Sequence, residues 1–183
     1  MRVITGTARG RKLRDLPGLD TRPTTDKVKE SIFNIVQFDV EGRKVLDLFA
    51  GTGQLGIEAL SRGAEKCVFV DQSREAVKVI QENVKTTGFE NQSRVAAGDG
   101  VSFLTSCREK FGLAFLDPPY ASDLLDRALL KMSEIDIMTE NGIIVCESAL
   151  DKIMPTLPGP YEKGRDYRYG RIKLTLYHRR ANG

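Results

Sequence analysis

The chain has 183 residues, of which 28 are Lys or Arg and 25 are Asp or Glu, so its formal net charge is +3. This length, with 40% hydrophobic and 29% charged residues, is typical of one globular domain with its own core. The single histidine, His178, excludes His-rich metal sites, and we interpret it as a surface strand residue, not as the base of a Ser-His-Asp or Cys-His site.

In chain order, the first predicted element is a short β-hairpin, with residues 2–5 and 11–14 as its strands around Gly6 and Gly10. The first fourteen residues contain no acid and carry five cations, which are Arg2, Arg9, Arg11, Lys12 and Arg14. Residues 1–30 and 160–183 are both basic, so the acidic residues are concentrated between them. Such a cluster of cations either neutralises nucleic-acid phosphates or forms a solvated tail, and composition alone leaves both open.

A helix is predicted after residues 22–26, which supply a rigid proline and N-cap candidates, because Val28, Ile32, Ile35 and Val36 recur at helical spacing. Strands and helices then alternate. Strands are predicted near 44–49, 66–70, 93–97, 113–116 and 142–146, with helices near 54–62, 73–86, 101–108 and 122–132. Two further strand-like segments lie near 161–166 and 171–178. This alternation predicts a parallel sheet with helices on both faces.

A glycine-rich turn follows the first of these strands. Gly51, Gly53 and Gly56 satisfy the pattern G-x-G-x-x-G, and Asp71 comes twenty residues after Gly51. This spacing is typical of a dinucleotide site, where a carboxylate holds ribose hydroxyls. Asp47, however, lies four residues before the first glycine, where its charge would repel a pyrophosphate and attract an ammonium. The turn therefore favours S-adenosylmethionine (SAM), which carries an amino acid, while an NAD-binding oxidoreductase stays open as an alternative.

Acidic residues also follow the third and fourth strands. Asp99, between two glycines, can accept the amino group of adenine. After the fourth strand, Asp117-Pro118-Pro119-Tyr120 predicts a stiff turn, whose Asp117 carboxylate and Pro118 carbonyl can accept from an exocyclic amine. The Tyr120 ring offers a surface on which a base can stack. Two acceptors localise the lone pair of the amine and orient it towards a methyl group, so the transfer requires no histidine base.

At these residues the sequence resembles the RsmD family of 16S rRNA guanine-N2 methyltransferases. Asp117-Pro118-Pro119-Tyr120 is similar to the signature of SAM-dependent enzymes that methylate amino groups of nucleic-acid bases. The other matching motifs are Arg9-Gly10-Arg11-Lys12-Leu13, Arg22-Pro23-Thr24, Phe33-Asn34, Asp47 to Gly53 and Glu58 to Ala64. The resemblance extends from about residue 2 to residue 178, and the combination of motifs is far more specific than any one of them.

The resemblance implies a role for each matching position. The implied cofactor residues are Thr24, Asp47, Phe49, Gly51, Gly53, Asp71, Gln72, Asp99 and Gly100. Among them Asp71 would bind the ribose, where Glu is commoner in the family, and Asp99 would hold the adenine. The implied catalytic residues, which would hold the amine of the target guanine, are Asp117, Pro118, Pro119 and Tyr120. The implied RNA-binding residues are Arg9, Arg11, Lys12, Arg14 and Arg22.

The resemblance also implies a seven-stranded Rossmann-like SAM-dependent methyltransferase sheet whose last two strands form an antiparallel hairpin. We expect one methyltransferase domain over residues 1–183, with a basic hairpin extension over 1–22 and the catalytic α/β part over 23–183. The implied partner is 16S rRNA within an assembling 30S subunit, and the expected state is a monomer. A DNA amino-methyltransferase acting on adenine N6 or cytosine N4 remains the alternative, because the same turn serves those bases. Against it, the chain leaves little room for a domain that reads the major groove.

The remaining features bear on cellular location and metals. Cys67, Cys107 and Cys146 lie about 40 residues apart and form no C-x-x-C pair, so neither structural zinc nor a disulfide framework is expected. The longest apolar runs, such as residues 142–146, are far shorter than the ~20 residues that span a bilayer. No apolar leader follows Met1. We therefore expect a cytoplasmic protein with neither a membrane segment nor a metal.

Overall fold

Over residues 1–17 and 25–182, which the computed structural model describes, the chain folds around a seven-stranded sheet. In chain order its strands are β1 (Lys44–Leu48), β2 (Lys66–Asp71), β3 (Ser93–Ala97), β4 (Phe111–Leu116), β5 (Met138–Ala149), β6 (Tyr161–Tyr169) and β7 (Ile172–Arg179). Their order across the sheet is β3-β2-β1-β4-β5-β7-β6. The first five strands pair in parallel, and β7 pairs antiparallel with both β5 and β6. The predicted sheet, with its antiparallel C-terminal pair, is confirmed.

Five α-helices connect the strands of the described ranges. They are α1 (Asp26–Ile35), α2 (Gln54–Ser61), α3 (Arg74–Thr87), α4 (Gly100–Ser106) and α5 (Leu124–Glu134). Side-chain caps fix the starts of three of them, because Thr25, Ser73 and Asp99 accept from the backbone N–H three residues later. In the described residues no helix is long and apolar enough to cross a membrane.

The sheet is buried on both faces, as a parallel sheet requires. Helices α1, α2 and α3 cover one face, where the buried side chains include Phe33, Ile57, Ile80, Phe69 and Phe115. Helices α4 and α5 cover the other face, where the buried side chains include Leu104, Leu129, Leu46, Ala114 and Ile144. The strand ends align at one edge, because Leu48 pairs with both Val70 and Leu116, and Leu116 pairs with Cys146. This edge, formed by the carboxyl ends of β1 to β5, is where the predicted catalytic residues lie in the sequence, and it is called the catalytic edge below.

The fifth strand is longer than the sequence predicts. The apolar run ends at Cys146, but β5 continues to Ala149 because Glu147 and Ser148 pair with Leu174 and Lys173 of β7. A strand between two neighbours is stabilised by its ladder even where its residues are polar. As a result β5 carries Glu147, a buried carboxylate, to the catalytic edge.

The predicted N-terminal hairpin is present as one antiparallel bridge between Arg2 and Lys12. Val3 N–H donates to the Arg11 carbonyl and Leu13 N–H to the Met1 carbonyl, at 2.9 and 3.0 Å. Val3, Ala8 and Leu13 are buried in the same core as α1 and α2. The described part of this hairpin is therefore packed on the sheet and not a solvated tail. His178, at the far end of the chain, is an exposed residue of β7.

Candidate active site and nucleic-acid surface

The glycine turn between β1 and α2 is a run of left-handed backbone. Gly51 and Gly53 have φ values of 60° and 80°, which glycine adopts without strain. Phe49 has φ of 65°, and a bulky residue in that region is uncommon. Strain of this kind, of about 1–3 kcal/mol per residue, collects at functional sites where surrounding contacts impose it. The turn is therefore held in shape by its neighbours.

One of those neighbours is Asp47, which lies beneath the turn with 3% of its surface exposed. Its Oδ2 accepts a hydrogen bond of 3.0 Å from the backbone N–H of Gly56, in the first turn of α2. Burial raises the pKa of Asp47 to about 8, although the Gly56 bond opposes this shift. The carboxyl thus ties the start of α2 to the end of β1.

Asp71, at the end of β2, ties the second strand to the same turn. Its Oδ2 accepts from the Gly51 N–H and its Oδ1 from the Ser73 N–H, both at 2.9 Å. Each carboxylate oxygen has a second lone pair, so both remain able to accept from ligand hydroxyls. Gln72, beside it, is exposed.

Asp99 and Gly100 bring the end of β3 to the same place. Asp99 caps α4, with its Oδ2 accepting from the N–H and the hydroxyl of Ser102 at 2.9 and 3.0 Å. A Cβ on Gly100 would lie 2.9 Å from the Phe49 ring, so that position requires glycine. The Gly98 N–H donates to the Asp71 carbonyl at 3.0 Å. The ends of β1, β2 and β3 therefore form one connected group.

The fourth strand ends in the proline turn. Asp117 is half-buried, Pro118 is buried, and Pro119 and Tyr120 are exposed. The Tyr120 hydroxyl reaches across to β5 and donates a 2.5 Å hydrogen bond to Oε1 of Glu147. Glu147 is 8% exposed. The sequence interpretation missed this residue, yet one signal pointed to it, since an acid directly follows the apolar run of the fifth strand as Asp71 and Asp117 follow theirs.

The structure thus gathers most of the predicted site residues at the catalytic edge. Those that it places there are Asp47, Phe49, Gly51, Gly53, Asp71, Gln72, Asp99, Gly100, Asp117, Pro118, Pro119 and Tyr120. Thr24 and Arg22 lie outside the described residues.

The residues at β1, β2 and β3 fit a nucleoside that carries an amino acid. At both Gly51 and Gly98 an added Cβ would meet nothing within 4 Å, so a ligand can approach the backbone there. The side chains around this space are carboxylates, which accept from hydroxyl and amino groups and repel phosphate. This donor set suits SAM, and Asp71 and Asp99 are the groups that would hold its ribose and adenine.

The cations of the hairpin divide into two kinds. Arg9, Arg11 and Lys12 are exposed, and within residues 1–17 and 25–182 no carboxylate forms an ion pair with them. Arg14 forms an ion pair with Glu82 of α3. The first three cations, called the basic patch below, are therefore available to phosphates, whereas the charge of Arg14 is already balanced.

Buried polar contacts of Glu58 hold the hairpin in place. Its Oε2 and Oε1 accept from the Ile4 and Thr5 N–H groups at 2.9 and 3.0 Å. Lys29 of α1, fully buried, donates to the Arg2 carbonyl at 2.6 Å and lies 3.7 Å from Glu58. Burial lowers the pKa of Lys29, and the carboxylate of Glu58 opposes that shift. Glu58 also accepts from Arg62 at 3.0 Å, whereas removal of Glu58 would leave the buried Lys29 without its carboxylate partner.

A buried asparagine connects the hairpin to the glycine turn. Asn83 of α3 accepts from the Arg14 N–H at 2.7 Å, and its amide group donates to the Arg14 carbonyl at 3.1 Å and the Thr52 carbonyl at 3.0 Å. Because Thr52 lies within the glycine turn, these hydrogen bonds link the hairpin that carries the basic patch to the catalytic edge.

Comparison with known proteins gives a consistent result. A family model described as Conserved hypothetical protein 95 matches residues 1–178. YlbH of Bacillus subtilis (strain 168) is 40% identical over 184 residues, 99% of this chain and 100% of that protein. Ribosomal RNA small subunit methyltransferase D of Escherichia coli (strain K12) is 34% identical over 185 residues, 100% of this chain and 92% of that protein. The solved structure of yhhF from Escherichia coli has a TM-score of 0.89 at 32% identity, covering 100% of this chain and 99% of that chain.

Proposed function

This chain belongs to the RsmD family, whose model is described as Conserved hypothetical protein 95, and on that premise we propose that it is a SAM-dependent rRNA methyltransferase. The finer proposal is that it methylates the exocyclic N2 amine of a guanine in small-subunit (16S) rRNA. The observation that carries the proposal is the turn from Asp117 to Tyr120 at the end of β4, next to the glycine turn at the end of β1.

SAM, when bound, supplies an electrophilic methyl group on sulfur. The chain's own contribution is to hold and orient it. We propose that the glycine turn carries its amino-acid end, with the Asp47 carboxyl beneath the turn as an acceptor for the ammonium. Asp71 and Asp99 would accept from the ribose hydroxyls and the adenine amine, which is supported by their remaining lone pairs. Thr24, outside the described residues, would close over the methionine end.

At the target side, Asp117 and the Pro118 carbonyl would accept the two hydrogens of the amine. An amine attached to a base ring is a poor nucleophile, and these acceptors draw its lone pair out of the ring and direct it at the methyl group. SAM would supply the methyl group that passes from its sulfur to the amine nitrogen, and one amine proton would leave afterwards. Asp117 would be the group that receives that proton, in a site that uses no histidine.

The base must leave its stack to reach this turn, and an unpaired loop nucleotide does so at the lowest cost. The half-exposed ring of Tyr120 offers a stacking surface for it. The basic patch would contact the flanking phosphates, with Arg22 as a further candidate outside the described residues. We further propose that the substrate is presented within an assembling 30S particle in the cytoplasm and that the enzyme acts as a monomer.

The test is methyl transfer from labelled SAM to a panel of 16S rRNA, 30S particles, tRNA and duplex DNA. Label is expected in 16S rRNA or the 30S particle, and digestion to nucleosides should give N2-methylguanosine. Label in DNA, as N6-methyladenine or N4-methylcytosine, would instead support the DNA methyltransferase. Tight NAD(H) binding without SAM binding would support the oxidoreductase. Either result would remove the rRNA proposal.

A further inference from the structure

We propose that Glu147 is a positioning residue for the target base, which acts by holding the hydroxyl of Tyr120. This deepens the proposed function and rests on it, because Tyr120 belongs to the turn that would hold the amine. Neither the sequence motif nor the family comparison assigns Glu147 this role.

The contact itself is short and charge-assisted. Tyr120 and Glu147 are 27 residues apart, on the β4–α5 loop and on β5, and their oxygens lie 2.5 Å apart. A hydroxyl that donates to a carboxylate forms a shorter and stronger bond than one between neutral groups. The bond spans two adjacent strands, so it connects the proline turn to the centre of the sheet.

Register places Glu147 beside the catalytic turn. Leu116 pairs with Cys146 in the parallel ladder between β4 and β5, and the next residues along each chain are Asp117 and Glu147. Phe115 and Val145, two residues earlier, both belong to the core on the α1 side of the sheet. Because side chains alternate along a strand, Glu147 points to that same side. Glu147 therefore lies on the strand next to β4, level with Asp117 at the start of the proline turn.

The two members of the pair differ in exposure. Tyr120 is 43% exposed and follows two prolines in a loop, whereas Glu147 is 8% exposed and lies within a strand. The strand residue is thus the fixed partner and the loop residue is the one that is held. The bond to this carboxylate therefore restricts the side-chain torsions of Tyr120, and loss of the carboxylate should widen the range of ring orientations.

This arrangement predicts which kinetic quantity Glu147 controls. The residue lies on the far side of β4 from the SAM-binding ends of β1, β2 and β3, so its loss should leave SAM affinity unchanged. A misplaced ring would instead lower the fraction of bound bases whose amine is in line with the methyl group. The loss should therefore appear mainly in kcat.

The kinetic test compares Glu147→Gln, Glu147→Leu, Tyr120→Phe and the double variant Tyr120→Phe/Glu147→Leu, with the substrate that the wild-type protein methylates in the panel above. Glu147→Leu and Tyr120→Phe should each lower kcat by about tenfold, the size expected for one lost charged hydrogen bond. Glu147→Gln should be milder, because its amide oxygen still accepts from the hydroxyl. The double variant should be no worse than the poorer single variant, since the residues act as a unit.

Glu162→Gln is the matched control, because Glu162 is an exposed carboxylate of β6 that pairs with Arg180. It should keep the wild-type kcat. SAM affinity, measured by calorimetry, should stay within about twofold in all variants. A wild-type kcat in Glu147→Leu, or losses that multiply in the double variant, would overturn the proposal.

A second measurement requires no substrate. With tyrosine labelled by ¹³C at Cζ, the five tyrosines give resolvable signals, and Tyr120 is assigned by its loss in Tyr120→Phe. Glu147→Leu should shift the Tyr120 signal more than the others, and an unmoved signal would contradict the bond. If the signal shifts while wild-type protein transfers no methyl group to rRNA, the proposed substrate fails and the coupling of Glu147 to Tyr120 stands.

Discussion

The catalytic edge has two halves that are held by different kinds of contact. In the half that we propose binds the cofactor (the cofactor half), at the ends of β1 to β3, Asp47, Asp71 and Asp99 each accept from a backbone N–H at 2.9 to 3.0 Å. In the half that we propose binds the target base (the target half), at the ends of β4 and β5, the bond between Tyr120 and Glu147 joins two side chains. The first half thus depends on contacts with the backbone, whereas the second depends on a contact between two side chains. A substitution in one half should therefore leave the function of the other half unchanged.

The strongest test of this separation is Asp117→Ala. Loss of the main acceptor for the target amine should lower kcat by about 10²–10³-fold, the range found when one preorganised transition-state contact is removed. SAM affinity should remain close to wild type, because Asp117 belongs to the target half. Single-turnover methyl transfer and calorimetric SAM binding measure the two effects. Asp123→Ala, which removes an exposed acid at the far end of the same loop, is the control and should leave both unchanged. A matching loss of SAM affinity would place Asp117 in the cofactor half.

The converse test is Gly56→Ala, which breaks the cofactor half from within. An added Cβ would lie 2.4 Å from the Phe69 ring and 2.6 Å from the Cys67 sulfur, so α2 must move away from β2. Such overpacking costs about 1–3 kcal/mol and also disturbs the bond to Asp47. Denaturant unfolding should show the loss of stability, and SAM affinity should fall.

Gly112→Ala provides the control for that substitution. Its Cβ would lie 2.9 Å from the side chain of Arg43, which is at the opposite edge of the sheet. This variant should keep its SAM affinity. If both variants bind SAM equally well, close packing of α2 on β2 does not support the cofactor half.

The pH dependence of stability isolates Asp47. Its pKa is raised to about 8 in the folded protein from an ordinary value of 3.8, so the folded state binds the proton more tightly. The contribution of Asp47 to the free energy of unfolding is fully present below pH 4 and is lost as the pH rises towards 8. The free energy of unfolding should fall by about 1 kcal/mol per pH unit between pH 4.5 and 7, near the limit of 1.36 for one group. Asp47→Asn, which keeps an acceptor for Gly56, should flatten this slope, and an equal slope in both proteins would contradict it.

Asp136 and Asp166 do not contribute to this slope of the free energy of unfolding against pH. The pKa of Asp136 is lowered to about 2, mainly by its hydrogen bond to Arg179. Burial raises the pKa of Asp166, but its contacts with Thr175 and Lys163 outweigh this effect, so that pKa is lowered as well. A carboxyl with a depressed pKa loses its stabilising effect only as the pH falls below its ordinary value. Their contribution is therefore constant over the range in which Asp47 titrates.

The same contrast explains what the sequence could and could not predict. The glycine turn depends on residues that are close in sequence, so the motif from Asp47 to Gly53 and its strand context sufficed to predict the turn between β1 and α2. The contact of Tyr120 with Glu147 depends on which strand lies next to β4 and in what register. Nothing local in the sequence specifies this register. The anchoring of the hairpin by Lys29 and Glu58 was missed for the same reason, since an apolar face predicts neither a buried lysine nor its partner.

The basic patch lies outside both halves, and Arg11→Glu should affect neither SAM affinity nor the chemical step. An exposed cation that contacts one phosphate contributes to RNA affinity through counterion release, so its loss should lower affinity only several-fold at moderate salt. The slope of log affinity against log salt should fall by about 1. Filter binding of 16S rRNA over a range of salt concentrations measures both. Arg127→Glu, on α5 at the other face of the sheet, is the charge-matched control.

Arg11 forms an ion pair with no carboxylate of the described residues, and its hairpin is anchored by Glu58 and Asn83. Arg11 therefore combines a fixed position with an unpaired charge, which is what phosphate recognition requires. An unchanged slope would mean that this rigid hairpin serves the fold and not the RNA.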